Sequence, residues 1–437
     1  MKILCVSWHY PPSNEVGGKV VYRLLRALHA RGHEVVVVTV PASAAVGLDS
    51  DYGNDMPDAR IVRIAPWPDP FAALGRLERW ILKAGRSEVL PAGGATSSGD
   101  PPGRLAMLRR FPDRARLWIP PARRAVRRLV RTERPGLMLS SSPFFSAHLA
   151  AFGVHRTHPG LPWWAWSRDP ATGNPFNASK GRVAERRLAR LEAMVVRTVA
   201  RNIVTTDELA DEYQRRYQRR PLMLRSGFDP LDLPPRADPP AAGPMVITHA
   251  GTLYGRRTPV PLFEAIAGLL RDGRIGPDDL RVRLIGNATD LAGESPQRAI
   301  ARLGLGPIAS VEAPISQHGA FAALLASHVG LVLAEGQPLQ IPAKTFECVG
   351  LGRPVLAIAD GATAALVERH HLGVVATTAT ISDVLLWLIA AFRQDRLLAL
   401  SDLVVRGAAD FAVDRQAELF ERAVAEGEVD DEIAATA

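Results

Sequence analysis

Residues 2–40 read KILCVSWHYPPSNEVGGKVVYRLLRALHARGHEVVVVTV. Ile3–Trp8 is an apolar run of strand length, and a loop with Pro11, Pro12, Gly17 and Gly18 follows it. The next stretch places Val20, Val21, Leu24, Leu25 and Leu28 on one face of a helix that ends at Gly32. Val35–Thr39 is a second apolar run. Strand, helix, strand in this order is a βαβ unit, whose crossover is right-handed.

A second start of the same kind lies at Met245. Val246–Ala250 reads as a strand ending in Gly251, and Thr258-Pro259 reads as an N-cap with proline opening a helix. Strands at Val282–Ile285, Val329–Leu333 and Pro354–Ile358 alternate with helices near Ser316–Ala326, Pro342–Val349 and Ala362–Glu368. Two such starts imply an α/β protein of two doubly wound domains. Asp229–Pro244 holds six prolines and reads as a stiff connector. The expected division is an N-terminal domain at 1–229, a linker at 230–244 and a C-terminal domain at 245–409, with a terminal helix at 410–437. Leu90–Gly103, rich in Gly, Ser and Pro, reads as a loop of the first domain.

The 437 residues are 47% apolar and 22% charged, a globular composition long enough for two cores. Cys5 and Cys348 are far apart in sequence, which excludes a disulfide scaffold and a cysteine-based zinc site; both read as small buried apolar side chains. Met1-Lys2 leads into a strand with no cleavage site, and Leu372–Phe392 carries Asp383 and reads as strand plus helix. A soluble, cytoplasmic protein is expected. The formal charge of +8 is uneven: Phe71–Pro135 has 15 Arg and Lys against five acids, so the remainder is slightly negative. Within that segment Ala122, Ala125, Val126, Leu129 and Val130 alternate with Arg123, Arg124, Arg127, Arg128 and Arg131. That pattern is either a basic helix lying on anionic lipid at the inner face of the cell membrane, or a core helix with a solvated arginine face. Sparse aromatics and no recognised motif make a nucleic-acid partner a remote reading.

Ligands of open α/β sheets bind beyond the carboxyl ends of the strands, which selects a few loops. Gly17 and Gly18 either let backbone N–H groups approach an anion or form an ordinary turn. The loop is not a Walker A motif, and no G-x-G-x-x-G follows the first strand, so a nicotinamide cofactor is disfavoured. After Trp163–Trp166, Arg168 and Asp169 suit hydroxyl binding or orienting a reacting group, or else an ion pair that fixes the loop. His148, after Ser140–Ser142, either faces a substrate or is structural. Gly251, with Arg256 and Arg257, runs from strand to helix in the manner that collects phosphate. In Ile341–Glu347, Lys344 sits in a first helical turn and Glu347 one turn later on the same face, a cation for phosphates and a carboxylate for a ribose diol. Asp49-Ser50-Asp51 imitates a metal-binding D-x-D but has no partner ligands nearby in sequence.

Taken jointly, Pro11-Pro12 with Gly17-Gly18, Arg168-Asp169-Pro170 with Asn174-Pro175, Gly251–Tyr254, and Ile341-Pro342-x-Lys344-x-Phe346-Glu347 with Gly352–Val355 resemble the retaining glycosyltransferases of family 4. These pieces are spread in the family's order over about residues 1–375. The resemblance implies the GT-B architecture, two Rossmann-like domains facing a central cleft, with acceptor specificity in the first and a sugar nucleotide held by the second. It makes Glu347 the ribose ligand, Arg257 and Lys344 the diphosphate clamp with Gly251, Arg256 and Thr345 beside them, and Gly17–Gly18 a closure over the donor. It places Phe420 in a terminal helix crossing back to the first domain. The sequence departs from the family pattern at Leu339, where a Glu is usual, at Thr252 after the first glycine, and at Ser226-Gly227.

The expected chemistry is metal-independent transfer from a nucleotide-sugar donor to a hydroxyl, lipid-linked or glycan, in surface polysaccharide or glycoconjugate synthesis. Arg257 and Lys344 would stabilise the departing diphosphate, while Asp169 or His148 assists the acceptor. The nearest rival is a nucleotide-sugar 2-epimerase of the same fold, which needs no acceptor.

Overall fold

The run Ile3–Ser7 carries no alternation of polar and apolar residues because both of its faces are covered, the pattern of a central parallel strand. It forms β1 (Lys2–Ser7), with every residue after Lys2 buried. The coordinates are a computed structural model that describes residues 1–44, 48, 56–69, 111–173, 181–291 and 293–436. Asp49-Ser50-Asp51, Leu90–Gly103, Asn174-Pro175 and the basic residues from Arg76 to Arg110 lie outside the described residues.

Two units emerge from the contacts. The first comprises Met1–Gly18, His33–Trp166 and Ala178–Ala200; the second comprises Lys19–Gly32, Ser167–Asn177 and Arg201–Ala437. Residues 19–32, 167–177 and 201–244 therefore group with the second unit, a division that does not coincide with a break at 229. In the first unit β2 (Glu34–Thr39), β3 (Arg60–Arg63), β4 (Leu137–Ser141) and β5 (Trp163–Ser167) join β1 in the parallel order β3-β2-β1-β4-β5. Helix Ile119–Glu133 buries Ala122, Val126 and Leu129 and leaves Arg123, Arg124, Arg128 and Arg131 exposed. Its apolar face is thus used by the protein's own core, as in the second of the two readings of that segment.

In the second unit β6 (Arg201–Val204) pairs with β7 (Leu222–Met223). The main sheet contains β8 (Met245–Ala250), while a short β9 (Leu253–Gly255) follows it at once. Next come β10 (Leu280–Ile285), β11 (Ala288–Leu291), β12 (Ala309–Glu312), β13 (Val329–Ala334), β14 (Val355–Ala359) and β15 (Gly373–Ala376). The sheet order is β12-β10-β8-β13-β14-β15, all parallel, with β9 and β11 paired separately. Numbered within each sheet, both share the doubly wound order 3-2-1-4-5, extended by β15 as a sixth strand in the second, so the strand order reverses between β1 and β4 and again between β8 and β13. A core of Ile247, Phe263, Ile266, Val282, Leu331 and Leu385 fills one side of the second sheet. Cys5 and Cys348 are both buried, and burial pushes the Cys348 thiol up to about 12. No helix among the described residues is long and apolar enough to cross a membrane.

Three local expectations change. Gly17 and Gly18 are not loop residues: they lie in the first turn of helix Val16–Ala30. A Cβ at Gly18 would stand 3.0 Å from the Tyr10 nitrogen, so this glycine permits a close backbone crossing inside the first unit. The helix after Gly251 begins at Val260, with Pro259 as N-cap and Thr258 Oγ1 accepting from the Val260 N–H at 3.3 Å. Residues 251–257, expected to be loop throughout, include β9.

Arg23 and Arg26, on the helix that also buries Val20, Val21, Leu24, Leu25 and Leu28, are 2% and 8% exposed. Arg23 Nε donates to Asp232 at 2.8 Å, and Arg26 pairs with Asp229 at 2.6 Å and Asp232 at 2.5 Å. Charges this deeply placed are tolerated only as a set, because removing one partner leaves the others desolvated and uncompensated. Arg26→Ala is therefore expected to lower the unfolding free energy by about 3–5 kcal/mol, read as a fall in urea midpoint. Arg31→Ala, which removes a pair to Glu421 with both side chains about a third exposed, should cost under about 1 kcal/mol.

Candidate functional site

The reversal between β8 and β13 opens the second sheet at its carboxyl edge, where the segments after both strands come together. Gly251, directly after β8, has φ +144° and its N–H donates to Ile285 O at 2.6 Å. A Cβ there would land on the ammonium of Lys344, and a Cβ at Gly286 (φ +134°) would land on the Gly251 carbonyl. Only glycine at both positions admits this approach, which lays Lys344 across the end of β8. Lys344 stands in the first turn of helix Ala343–Gly350, entered through Pro342. No salt bridge to Lys344 exists among the described residues.

Arg257 meets the same edge from β9. Its Nε and Nη2 donate to Gln337 Oε1 at 3.2 and 2.7 Å, and its guanidinium lies 4.5 Å from the Tyr254 ring centroid. Burial pulls Arg257 below its ordinary value, opposed by Tyr254 and Asp169. Beneath the pair lies His249, 3% exposed, with Nδ1 3.0 Å from Leu331 O. Burial, reinforced by the positive charges of Lys344 and Arg257, depresses His249 to about 3. The imidazole is neutral, donates through Nδ1, and keeps Nε2 as a lone-pair acceptor. Nε2 of His249, Nε2 of Gln337, Oε1 of Gln340 and Oγ1 of Thr345 are buried without a partner among the described residues. Such a concentration of unsatisfied atoms around two cations marks a place prepared for a polar ligand.

Glu347, one turn beyond Lys344, is only 3.9 Å from Nη2 of Arg23. Arg256 is exposed and runs beside Gly336. Asp169 joins the second unit: its Oδ1 accepts from Gln340 Nε2 at 2.6 Å, and its charge is felt by Arg257. Arg168 is 8% exposed, and its carbonyl accepts from Thr205 Oγ1 at 2.8 Å. The residues expected to act together, Gly251, Arg257, Lys344, Thr345, Glu347 and Asp169, thus lie in one unit.

His148 groups with other residues. It belongs to the first unit, is 1% exposed, and its Nδ1 lies 2.8 Å from Ser140 Oγ, which also accepts from Trp163 Nε1 at 2.8 Å. Those contacts hold the imidazole against β4 and β5. At the reversal between β1 and β4, His9 stacks on Phe144 at 5.1 Å and Arg114 covers Phe144 at 4.9 Å.

Sequence reading passed over His249, Gln337, Gln340, Arg23 and the aromatic pair His9 and Phe144. The carboxyl-edge rule reaches Gln337, Gln340, His9 and Phe144, which all follow edge-facing strands. His249 stands inside a strand, and no spacing distinguishes it. Among the described residues no group of three His, Cys, Asp or Glu side chains is placed to hold a metal ion.

No family model matches the chain. It is similar to a glycogen synthase of Mycobacterium tuberculosis, 25% identical over 403 residues that span 88% of this chain and 86% of that protein. In structure it is similar to the sucrose-phosphate synthase of Thermosynechococcus elongatus, with TM-score 0.63 and 15% identity over the whole of both chains. It is equally similar to Anabaena HepE in complex with UDP, with TM-score 0.63 and 15% identity over 98% of this chain and 100% of that one. The fold is the two-domain, Rossmann-like architecture that these proteins share.

The depressed His249 has a consequence in solution. The unfolded chain takes up a proton near 6.5 that the native site refuses, so this stability contribution is complete above pH 6.5 and is lost as pH falls toward 3. The His249 imidazole resonances, identified by their disappearance in His249→Gln, are expected to show no titration between pH 5 and 8 by NMR. A His249 midpoint near 6.5 would contradict the geometry above.

Proposed function

We propose that this chain is a glycosyltransferase that moves a sugar from a nucleotide diphosphate to a hydroxyl acceptor, with retention at the anomeric carbon. The observation that carries the reading is the meeting of Gly251, Lys344 and Arg257 at the reversal of the second sheet. Two cations and a side-chain-free backbone there suit a diphosphate, and a carboxylate one helical turn away suits a ribose diol. The similarity to a glycogen synthase and to a protein complexed with UDP and with UDP-glucose supports the same class of donor.

In this reading Arg257 and Lys344 hold the diphosphate, with Thr345 and Arg256 at its margin, and Glu347 accepts from the ribose hydroxyls. As the bond from C1 to the phosphate oxygen breaks, negative charge grows on the leaving group, and both cations are already aimed at it. The acceptor oxygen bonds to C1 from the same face, and its proton passes to the departing phosphate oxygen. Asp169 orients the acceptor hydroxyl. The chemistry assigned to these residues calls for no resident cofactor.

Calorimetry with UDP and GDP tests the donor half directly. Arg257→Ala and Glu347→Ala should each weaken nucleotide binding roughly 10–150-fold, the loss of one or two charge-assisted hydrogen bonds, with the fold retained by circular dichroism. Unchanged affinity in both variants would remove the assignment. Incubation with the bound sugar nucleotide alone should yield slow hydrolysis; an isomerised donor would instead identify a 2-epimerase. NMR of the anomeric proton in the product decides retention.

The acceptor is proposed to meet the first unit, whose helix Ile119–Glu133 turns Arg123, Arg124, Arg128 and Arg131 outward. With the apolar face of this helix buried, contact that it makes with a membrane-bound acceptor is electrostatic and not insertive. Flotation on vesicles rich in anionic lipid should therefore vanish as salt rises from about 0.05 to 0.5 M, where the Debye length shrinks to a few ångströms. Flotation that survives high salt would refute an electrostatic mode.

A further inference from the structure

Glutamines at 337 and 340 occupy the turn after β13, and the turn is fixed at three successive carbonyls. Pro338 O accepts from the Ala362 N–H at 2.9 Å, Leu339 O from Thr206 Oγ1 at 3.0 Å, and Gln340 O from Thr363 Oγ1 at 3.0 Å. The Gln340 N–H closes the turn onto Gln337 O at 3.2 Å. Thr206 also caps helix Asp207–Tyr217, and its neighbour Thr205 holds the Arg168 carbonyl. Segment 168–169 and the turn are thus both secured to Thr205-Thr206, one by each threonine.

Each glutamine then holds one charged group with one end of its amide. Gln337 Oε1 takes two donors from Arg257, and Gln340 Nε2 donates to Asp169 Oδ1 at 2.6 Å. Both side chains are almost fully buried, at 2% and 7% exposure, so neither amide has room to swing away. A neutral amide suits this task because it satisfies a cation with its oxygen and an anion with its nitrogen without adding charge of its own.

We propose that Gln340 is the positioning residue of Asp169, and that the Gln337–Gln340 turn sets the spacing between the acceptor-orienting carboxylate and the diphosphate-binding Arg257. Occupied at Oδ1, Asp169 presents Oδ2 to a hydroxyl, and its direction is inherited from a turn that has no freedom to rotate. Misplacing a reacting group by about 1 Å lowers turnover on the order of 100-fold, so a rigid link of this kind acts on kcat more than on binding. The inference rests on the transfer reading above, in which Asp169 faces the reacting hydroxyl.

The experiment uses the full chain and whichever of UDP-, GDP- and ADP-glucose or UDP-, GDP- and ADP-galactose the wild type hydrolyses fastest. Gln340→Met keeps the volume and removes the donor; Gln340→Glu keeps the shape and sets a second carboxylate against Asp169. Expected are a kcat at least 10-fold lower in Q340M and lower again in Q340E, with nucleotide affinity within twofold of wild type; the melting temperature should change little in Q340M and fall in Q340E, where a second carboxylate is buried beside the first. A kcat within twofold of wild type in both variants would overturn the proposal. So would a loss of nucleotide affinity by the same factor as kcat, which is the mark of a turn that only supports the donor pocket. Absence of both hydrolysis and nucleotide binding in the wild type would instead remove the transfer reading itself.

Discussion

Everything at the second sheet's carboxyl edge depends on a space that Gly251 leaves open by having no side chain of its own. Gly251 sits where β8 ends, Gly286 crosses its carbonyl, and the ammonium of Lys344 lies where a Cβ would otherwise be. Van der Waals exclusion therefore does what a network of polar contacts does elsewhere. It admits one long cation across the strand end and places it beside Arg257 and above a neutral imidazole. An alanine at 251 would meet the Lys344 ammonium in a backbone region that L-residues rarely adopt. The positive charges are thus located by backbone geometry before any ligand arrives, and catalytic electrostatics requires that order of events.

A second constraint is ionic and lies in the same unit. Arg23 and Arg26 are buried against Asp229 and Asp232, and Arg23 reaches to 3.9 Å from Glu347. Glu347 is one turn beyond Lys344, so the carboxylate proposed for the ribose belongs to a charge cluster that also holds the start of the proline-rich segment. Such clusters are weak sources of net stability, but they are strict about geometry, because each member loses its compensation if another moves.

Much of this could be read from the residues alone. The βαβ start, the second start at Met245, and the strand-helix alternation after it follow from apolar runs separated by amphipathic periods, and the structure repeats them to within a residue or two. The convergence of Gly251, Arg257 and Lys344 was legible because glycine, arginine and lysine stood at strand ends and a helix start. What escaped were residues whose role depends on distant partners. Nothing near Gln340 in sequence marks its contact with Asp169, 171 positions away. Gly18 was misread because its reason is a crossing with Tyr10 and not a turn, and periodicity does not distinguish the two. The contact of His148 with Ser140, eight residues before it, is likewise set by the register of its helix and not by any spacing that marks it.

The grouping of residues 19–32 with the second unit bears on how the chain is made. Arg26 leaves the ribosome 203 residues ahead of Asp229. During that interval the helix carries two arginines that water must solvate, on a surface whose apolar neighbours already favour burial. The second unit cannot complete itself until Asp229, Asp232 and the strands after them are synthesised, although its first helix precedes them in the chain. Domains usually fold in order from the N-terminus during synthesis. Here the amino-terminal βαβ unit can assemble its strands first, while its helix waits for counter-ions made later. Completion of the second unit is accordingly spread out in time: the stretch that carries its first helix does not contain the acids that helix needs.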